Sequence, residues 1–523
     1  DPRTSDGDDD NGRFSKDYND ITNMTWSNIL TYQTKIKKKH NLDLLVGYEI
    51  NSKESDGLGT TISNFARWDK PEVNNGVVYQ SMGGSNSTTR IVSYITRANY
   101  DYDNKYYLGA SWRTDGSSRL ARENRWGNFW SLSGAWRVSS ESFMKPLQNW
   151  LSDLKLRVSY GVNGTLPSSY YGYMGLSSLT SNYNDNPGIT QSQLENKELT
   201  WETNYNFNSG IDLGFFDNRL NVTFEYYVRT TKNLLYSRPL SLATGFSSYL
   251  ANIGKLQNKG YELEIRSTNI ETKDFRWSTS LNLGHNANKI LKLDGDLKQV
   301  TSGTSIHKVG LPYSTYYMIE FAGIDPVDGE PMFYKNTTDE NGNLNKETTK
   351  DPRSAEKVIL QCADPTITGG LGNSISYKWF DLNFNVNFSF GAWNYDGAAG
   401  KLEHGGDGTL NIPIYYRKRW QKEGDETSIE RFVVGRSISM TDYATTRRLY
   451  SGDYVRLKNL TFGFTLPKTW TRKVGIDNIR LYASGNNLLT WAAYDYIDPE
   501  SGSSPSWDTP PMRTYTFGLE VKF

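Results

Sequence analysis

Strict alternation of apolar and polar residues recurs along most of the chain, the pattern of β-strands with one oily and one wet face. Leu220, Val222, Phe224, Tyr226 and Val228 share a face against Asn221, Thr223, Glu225, Tyr227 and Arg229. Tyr205, Phe207, Ile211 and Leu213 alternate with Asn204, Asn206, Asn208 and Asp212, and Leu382, Phe384, Val386, Phe388 and Phe390 with Asn383, Asn385, Asn387 and Ser389. The last residues repeat it, with Tyr515, Phe517, Leu519, Val521 and Phe523 opposite Thr514, Thr516, Gly518, Glu520 and Lys522. A soluble sandwich alternates too, so three further features decide. Many segments run about ten residues, the length of a tilted membrane strand. Their polar faces carry Asn, Ser, Thr and charges, as a wet interior would. Trp26, Tyr32, Tyr106, Trp112, Trp130, Trp136 and Trp277 gather near strand ends, as in interfacial girdles.

Connections alternate short and long, as in barrels with tight periplasmic turns and long outer loops. Short turns fall at Lys37-Lys38-Lys39-His40, 101–105, Phe215-Phe216-Asp217-Asn218, 271–275, 379–381 and 467–478, with a somewhat longer one at 139–152. The spacing predicts an all-β fold, a large antiparallel transmembrane β-barrel contributing about fifteen strands. Residues 1–22 are expected in an extracellular segment and 23–523 in strands, with extracellular loops at about 51–89, 113–126, 164–198, 230–255, 287–365, 392–452 and 487–511. With the last strand ending in the periplasm, an odd strand count places the first residues outside. Single-chain bacterial barrels have even strand numbers, so an odd number of strands is expected upstream. In 454–467, Val455 and Leu457 lie on one parity and Leu460, Phe462, Phe464 and Leu466 on the other, which predicts a β-bulge near Lys458-Asn459.

Composition narrows the function. The 523 residues balance 58 basic against 58 acidic side chains, which argues against a nucleic-acid partner. Mean hydropathy is -0.65, yet 35 Tyr, 21 Phe and 15 Trp exclude a disordered chain. A single Cys362 permits no internal disulfide. No apolar run reaches the length of a transmembrane helix, and no export signal is visible after Asp1-Pro2-Arg3.

Enzymatic chemistry finds no support. His40, His285, His307 and His404 are scattered without metal-ligand spacing. Gly57-Leu58-Gly59 and Gly369-Gly370-Leu371-Gly372 open no helix that would cradle a phosphate. Asp6, Asp8 and Asp10, and Asp339, Asn341 and Asn343 around Gly342, have the alternate spacing of calcium ligands. Neither set is followed by a bidentate Glu, so solvated turns are the plainer reading and a structural Ca2+ the sharper one. No other cofactor is expected.

The run Tyr454-Val455-Arg456-Leu457-Lys458-Asn459-Leu460-Thr461-Phe462-Gly463-Phe464 resembles a hallmark of the SusC/RagA-type TonB-dependent transporters of the Bacteroidetes outer membrane. So do Ile479-Arg480-Leu481-Tyr482-Ala483-Ser484-Gly485-Asn486-Asn487-Leu488 and Tyr496-Ile497-Asp498-Pro499-Glu500. Trp126-Gly127 with Ser131-Leu132-Ser133-Gly134-Ala135-Trp136-Arg137, Leu154 to Gly161, Glu198-Leu199-Thr200-Trp201-Glu202 and Asn258-Lys259-Gly260-Tyr261-Glu262 extend the likeness in order along the chain. The resemblance implies a 22-stranded barrel around an N-terminal plug that is not in this chain. It also implies a SusD-like lipoprotein lid, a TonB complex acting through the upstream part, contact with lipid and LPS, and a dimer of transporter–lipoprotein pairs. The expected function is import of oligosaccharides or oligopeptides across the bacterial outer membrane. A passive porin, a siderophore receptor or a surface glycan-binding β protein are the alternatives. Sugar rings stack on aromatic faces, so the aromatic residues of the long loops are the candidate substrate contacts: Trp68, Tyr183, Tyr313, Tyr316, Tyr317, Trp393, Tyr395, Tyr415, Tyr416, Trp420 and Trp507. Packing within the loops, or contact with the lid, is the plainer role for each.

Overall fold

A computed structural model of the protein describes residues 10–67, 69–184, 186–293, 297–339, 342–406, 411–435, 443–494, 497–501 and 510–523. Fifteen strands follow one another, in sequence order, in one large antiparallel sheet. They are β1 (Arg13–Ile36), β2 (His40–Phe65), β3 (Gly76–Tyr102), β4 (Tyr106–Ser117), β5 (Trp126–Arg137), β6 (Leu151–Thr165), β7 (Glu202–Phe215) and β8 (Leu220–Lys232). After them come β9 (Lys255–Glu271), β10 (Phe275–Lys292), β11 (Ile367–Tyr377), β12 (Phe380–Phe390), β13 (Tyr454–Thr465), β14 (Asn478–Ala492) and β15 (Thr514–Lys522). No helix among the described residues is long and apolar enough to cross a membrane. The tight turns fall where short connections were predicted. Lys37 and Lys38, and Asp103 and Asn104, adopt left-handed backbone, the twist that lets a hairpin reverse without splaying its strands.

The chain divides into two compact units: Asp1–Ala135, Ser159–Phe207 and Thr231–Gly254 form one, and Trp136–Val158, Asn208–Thr230 and Lys255–Phe523 the other. In the first, β1, β2 and β3 run 24, 26 and 27 residues, more than twice what a bilayer requires. Residues 13–22, 51–65 and 76–89 therefore lie in strands, where sequence reasoning placed connecting segments. Their side chains are polar on both faces, which hid them. They are held by the backbone ladder and by cross-strand bonds such as Ser15 Oγ to Thr61 Oγ1 at 2.9 Å and Asn86 Nδ2 to Asp56 Oδ1 at 2.7 Å. A small dry cluster of Leu120, Phe129, Leu199 and Trp201 packs just beyond the end of β4. The indole of Trp201 donates to the Arg125 carbonyl at 3.0 Å. Gly127 and Gly164 lie under the Phe129 ring, where a Cβ would collide.

In the second unit the pairing runs unbroken from β9 to β15, with Leu263 opposite Leu283, Leu371 opposite Val386 and Phe464 opposite Leu481. The predicted bulge is present. Lys458 is skipped where β13 pairs with β12, and on β14 Asn487, left-handed at φ 52°, and Leu488 oppose it. Short paired strands occupy the long connections, Lys357–Cys362 against Thr315–Ile319 and the hairpin of Phe321–Ile324 with Pro331–Tyr334.

Candidate functional site: the polar wall and its loops

The registers fix which residues share each face. On the apolar face of the first unit, aromatic rings form two ribbons. The upper one passes from Trp26 to Tyr48 (centroids 6.0 Å apart), Tyr94 (5.1 Å) and Trp126 (6.2 Å). The lower one joins His40, Tyr102 (5.0 Å) and Tyr106 (6.4 Å). Eight residues separate Tyr48 from His40 on β2, and Tyr94 from Tyr102 on β3. At ~3.3 Å per residue and ~40° of tilt this spans about 20 Å, close to the ~25 Å apolar band of an outer-membrane barrel. Leu44 and Val46 fill the interval. The second unit repeats the device with Phe275 beside Tyr377 (6.4 Å) and Phe380 beside Phe464 (4.9 Å) at one end, and Phe224, Tyr261 and His285 in contact at the other.

The opposite face carries the charges, and they pair with one another along the wall. Arg97 meets Asp43 at 3.3 Å, and Arg113 meets Asp115 at 2.7 Å. In the second unit Arg157 grips Asp212 through two bonds of 2.8 and 2.9 Å and Glu225 at 2.7 Å, while Arg480 holds Asp381 at 2.7 Å. The solvent-open pairs contribute at most about 1 kcal/mol each, and together they leave much of the charge on the wall paired. Within the second unit this polar face is the concave one, hollowed into a recess of about 760 Å³ along Thr223, Asn282, Thr368, Gly370 and Asn387.

The loop aromatics separate into groups. Trp68 and Trp507 lie outside the described residues. Tyr183 stands 85% exposed on the hairpin Leu176–Tyr183. Tyr313 stacks on His307 at 4.1 Å, its backbone N–H donating to Asn288 Oδ1 at 2.7 Å. Tyr317 is half-buried beneath the Lys357 ammonium, 6.0 Å from its ring centre. Trp393 and Tyr395 are half-buried on a short strand paired with Leu449–Ser451. Trp420 donates to the Pro326 carbonyl at 3.0 Å and lies over Gly329.

Tyr316 and Tyr416 are buried, so the structure makes them loop core. The Tyr416 hydroxyl donates to Glu430 at 2.8 Å and that of Tyr415 to Glu403. Burial pushes both phenols well above the ordinary tyrosine value, with the neighbouring carboxylates adding to it. Arg447 lies between Glu430 and Glu403, and Arg448 meets Glu403 at 3.3 Å. Burial disfavours the Arg447 cation, but Glu430 and Glu403 more than offset this and hold it charged. The charged members of this knot gave no sequence signal. A second tether joins Arg456 of β13 to Asp498 and Glu500, each at 2.7 Å, with Lys458 reaching Glu500 at 2.6 Å.

Among the calcium candidates, Asp6, Asp8 and Asn341 lie outside the described residues. Asp10 accepts from Gln80 at 2.8 Å and pairs with Arg13. Asp339 closes its own turn, accepting from the Asn343 backbone at 2.7 Å and its amide at 3.2 Å. Among the described residues no group of three His, Cys, Asp or Glu is placed to hold a metal ion.

Comparison with known proteins agrees with this geometry. Residues 2–488 match the family described as TonB dependent receptor-like, beta-barrel. TonB-dependent receptor P3 of Formosa agariphila is 33% identical, over 98% of this chain and 53% of that protein. TonB-dependent receptor SusC of Bacteroides thetaiotaomicron is 30% identical, over 83% and 44%. The chain thus spans about half the length of the curated relatives it matches. Among solved structures, the RagAB peptide transporter superposes with a TM-score of 0.85 at 28% identity, over 98% of this chain and 56% of that one. The ferripyoverdine receptor of Pseudomonas aeruginosa, at 12% identity and a TM-score of 0.50, shares the fold alone.

Proposed function

The chain belongs to the TonB-dependent receptor-like β-barrel family of outer-membrane transporters, which are not enzymes, and from that premise we propose that it forms part of the wall of an importer of oligosaccharides or oligopeptides. In this reading the rest of the polypeptide supplies further strands, a plug inside the barrel and the segment that engages TonB. A SusD-like surface lipoprotein captures substrate above the long loops, and two such pairs associate. The C-terminus faces the periplasm, and the extended β1–β3 sheet and the loop knot around Arg447 stand outside. One observation carries the reading: the band between the aromatic ribbons is backed by a polar wall on which arginines and carboxylates pair. Such a wall suits an aqueous interior through which a polar solute moves. The solved peptide transporter suggests the peptide class, and the loop aromatics on which sugar rings could stack suggest the saccharide class.

The test is uptake of fluorescent neutral heptasaccharides and hexapeptides by cells carrying the full-length transporter and its lipoprotein, with and without TonB. Accumulation that disappears on TonB deletion is expected. Accumulation untouched by TonB deletion would make the chain a porin. Capture of an iron chelate in place of either probe would make it a siderophore receptor.

A further inference from the structure

On the apolar face of the second unit, the residues beyond the aromatic contact at the long-loop end turn cationic. Tyr261 and His285 stand opposite each other on β9 and β10, their rings 4.8 Å apart. Alternation carries Lys259, Gln257 and Lys255 of β9, and Ala287 and Lys289 of β10, onto the same face above them. Asn258, Asn286 and Asn288 take the other face, where Asn258 Oδ1 accepts from Asn288 at 2.8 Å and from Asn286 at 3.3 Å. Where the register slips near the top, Lys255 stands directly opposite Lys292, and Lys289, paired with Gln257, is diagonal to both Lys255 and Lys259. Like charges placed so weaken a ladder, yet among the described residues none of these lysines makes an ion pair. The first unit differs. Above its Trp26–Trp126 ribbon the cations of that face, Arg90 and Lys16, stand 3.6 Å from Glu54 and 3.7 Å from Glu72, and Asp20 opposes Asp56.

We infer that Lys255, Lys259, Lys289 and Lys292 form a binding site for the phosphate groups of lipopolysaccharide in the outer leaflet. The missing counter-charge must come from outside the chain, and the face determines from where. These positions continue, strand by strand, the row of Leu263 and Leu283 that faces lipid, so the first anions they meet belong to lipid headgroups. At ~3.3 Å per residue and ~40° of tilt, Lys259 stands about 5 Å above Tyr261, Lys289 about 10 Å above His285 and Lys255 about 15 Å above Tyr261. The interfacial layer of a phospholipid leaflet is only about 5–8 Å deep. Cations spread over twice that height match a glycolipid whose phosphates are carried on sugar units, and the long lysine stems let each ammonium adjust to them. An ammonium, a compact charge with three donors, suits a phosphate approached from a variable direction.

The inference rests on the barrel standing with its long loops outside and not on what it imports, so its test needs no cargo. The full-length transporter is delipidated in detergent, and its affinity is measured for lipopolysaccharide and for the same glycolipid stripped of phosphate. A lysine beside an anionic headgroup is worth about a fivefold change in affinity. Lys259→Gln combined with Lys289→Gln is expected to weaken lipopolysaccharide binding at least about tenfold, and Lys259→Arg with Lys289→Arg to keep it within about twofold. Arg90→Gln with Lys16→Gln, where carboxylates already compensate the cations, should also keep it within about twofold. The dephosphorylated glycolipid should bind weakly to all of them. Heat-modifiable mobility on gels shows that each variant is folded, and the arginine pair separates charge from any other effect of substitution. Unchanged affinity in the glutamine pair, or equal loss in the Arg90–Lys16 pair, overturns the site. Equal competition by inorganic phosphate or phosphatidylglycerol overturns it as a lipopolysaccharide site and makes it a general anion patch. Loss of the surface lipoprotein on purification, with lipid affinity intact, would make the lysines a protein-docking face instead. None of these results depends on TonB-dependent uptake, which tests the importer separately.

Discussion

Arg456, projecting from β13 with 3% of its side chain exposed, places Nη2 2.7 Å from Asp498 Oδ2 in the connection that follows β14. The bulge at Lys458 brings a second cation to the same connection, so Glu500 is held by both residues. Arg456→Met strands Asp498 beside an apolar tip and leaves Glu500 to Lys458 alone. Removing one partner of a buried pair costs about 3–5 kcal/mol, here in the docking of that connection and not in the sheet. The variant is expected to keep its folded, heat-modifiable mobility on gels while becoming sensitive to a protease that cleaves beside Asp498 or Glu500. Unchanged resistance would show that other contacts seat the segment.

Gly260 explains the glycine of the Asn258-Lys259-Gly260-Tyr261-Glu262 run. A methyl there would run into the His285 carbonyl across the β9–β10 ladder and lie 2.6 Å from the Tyr227 hydroxyl. Gly260→Ala is expected to destabilise the folded barrel by about 1–3 kcal/mol, the cost of overpacking a fixed site. Tyr227→Ala in the same background should not restore it, because the carbonyl remains. Urea titration of refolding into lipid vesicles reads both, and full rescue by Tyr227→Ala would transfer the clash to the side chain.

How far the sequence revealed these features depends on the range of the interaction. Period-two alternation reports a local fact, one face oily and one wet, so β8, β12 and β15 were legible, and a parity change sufficed to locate the bulge at Lys458. The upper halves of β1–β3 were not, because Ser15, Asn19, Asp56, Thr61 and Asn86 give both faces the same polarity. The loop tyrosines misled for a related reason. An aromatic residue between strands looks alike whether it faces a solute or is buried, and Tyr416 is buried by Glu430 and Arg447, which no periodicity links to it. Arg456 and Glu500 stood within the recognised motifs, but their pairing across 44 positions needed the fold.

The assignment of faces can be tested with two arginines. Leu44 on β2 is half-buried midway between the aromatic ribbons, whereas Thr31 on β1 shares the face of Asp43 and Arg97. Leu44→Arg should lower stability in vesicles by about 2–4 kcal/mol, the cost of a cation near the bilayer midplane, and Thr31→Arg by less than about 1 kcal/mol. Equal costs would mean that the two faces see the same medium.

The long connection between β10 and β11 should loosen in acid because of His307. This imidazole is buried and stacks on Tyr313, and burial holds its pKa below the ordinary value of 6.5. A histidine depressed in the folded state is neutral there, so the unfolded segment binds the proton more readily. Its contribution to stability is complete above the ordinary histidine value and is lost as pH falls below it. Hydrogen exchange of residues 305–317 is therefore expected to accelerate between about pH 6.5 and pH 5 beyond the change of intrinsic rates, and His307→Phe, which keeps the stack without the titrating nitrogen, should abolish that excess. An excess that persists in His307→Phe would place the titrating group elsewhere, with the carboxylates of the loops as the next candidates. Asp325 and Asp328 are separable from His307 by this window, since the Lys350 ammonium holds both below the ordinary aspartate value and their contribution is lost as pH falls below that value.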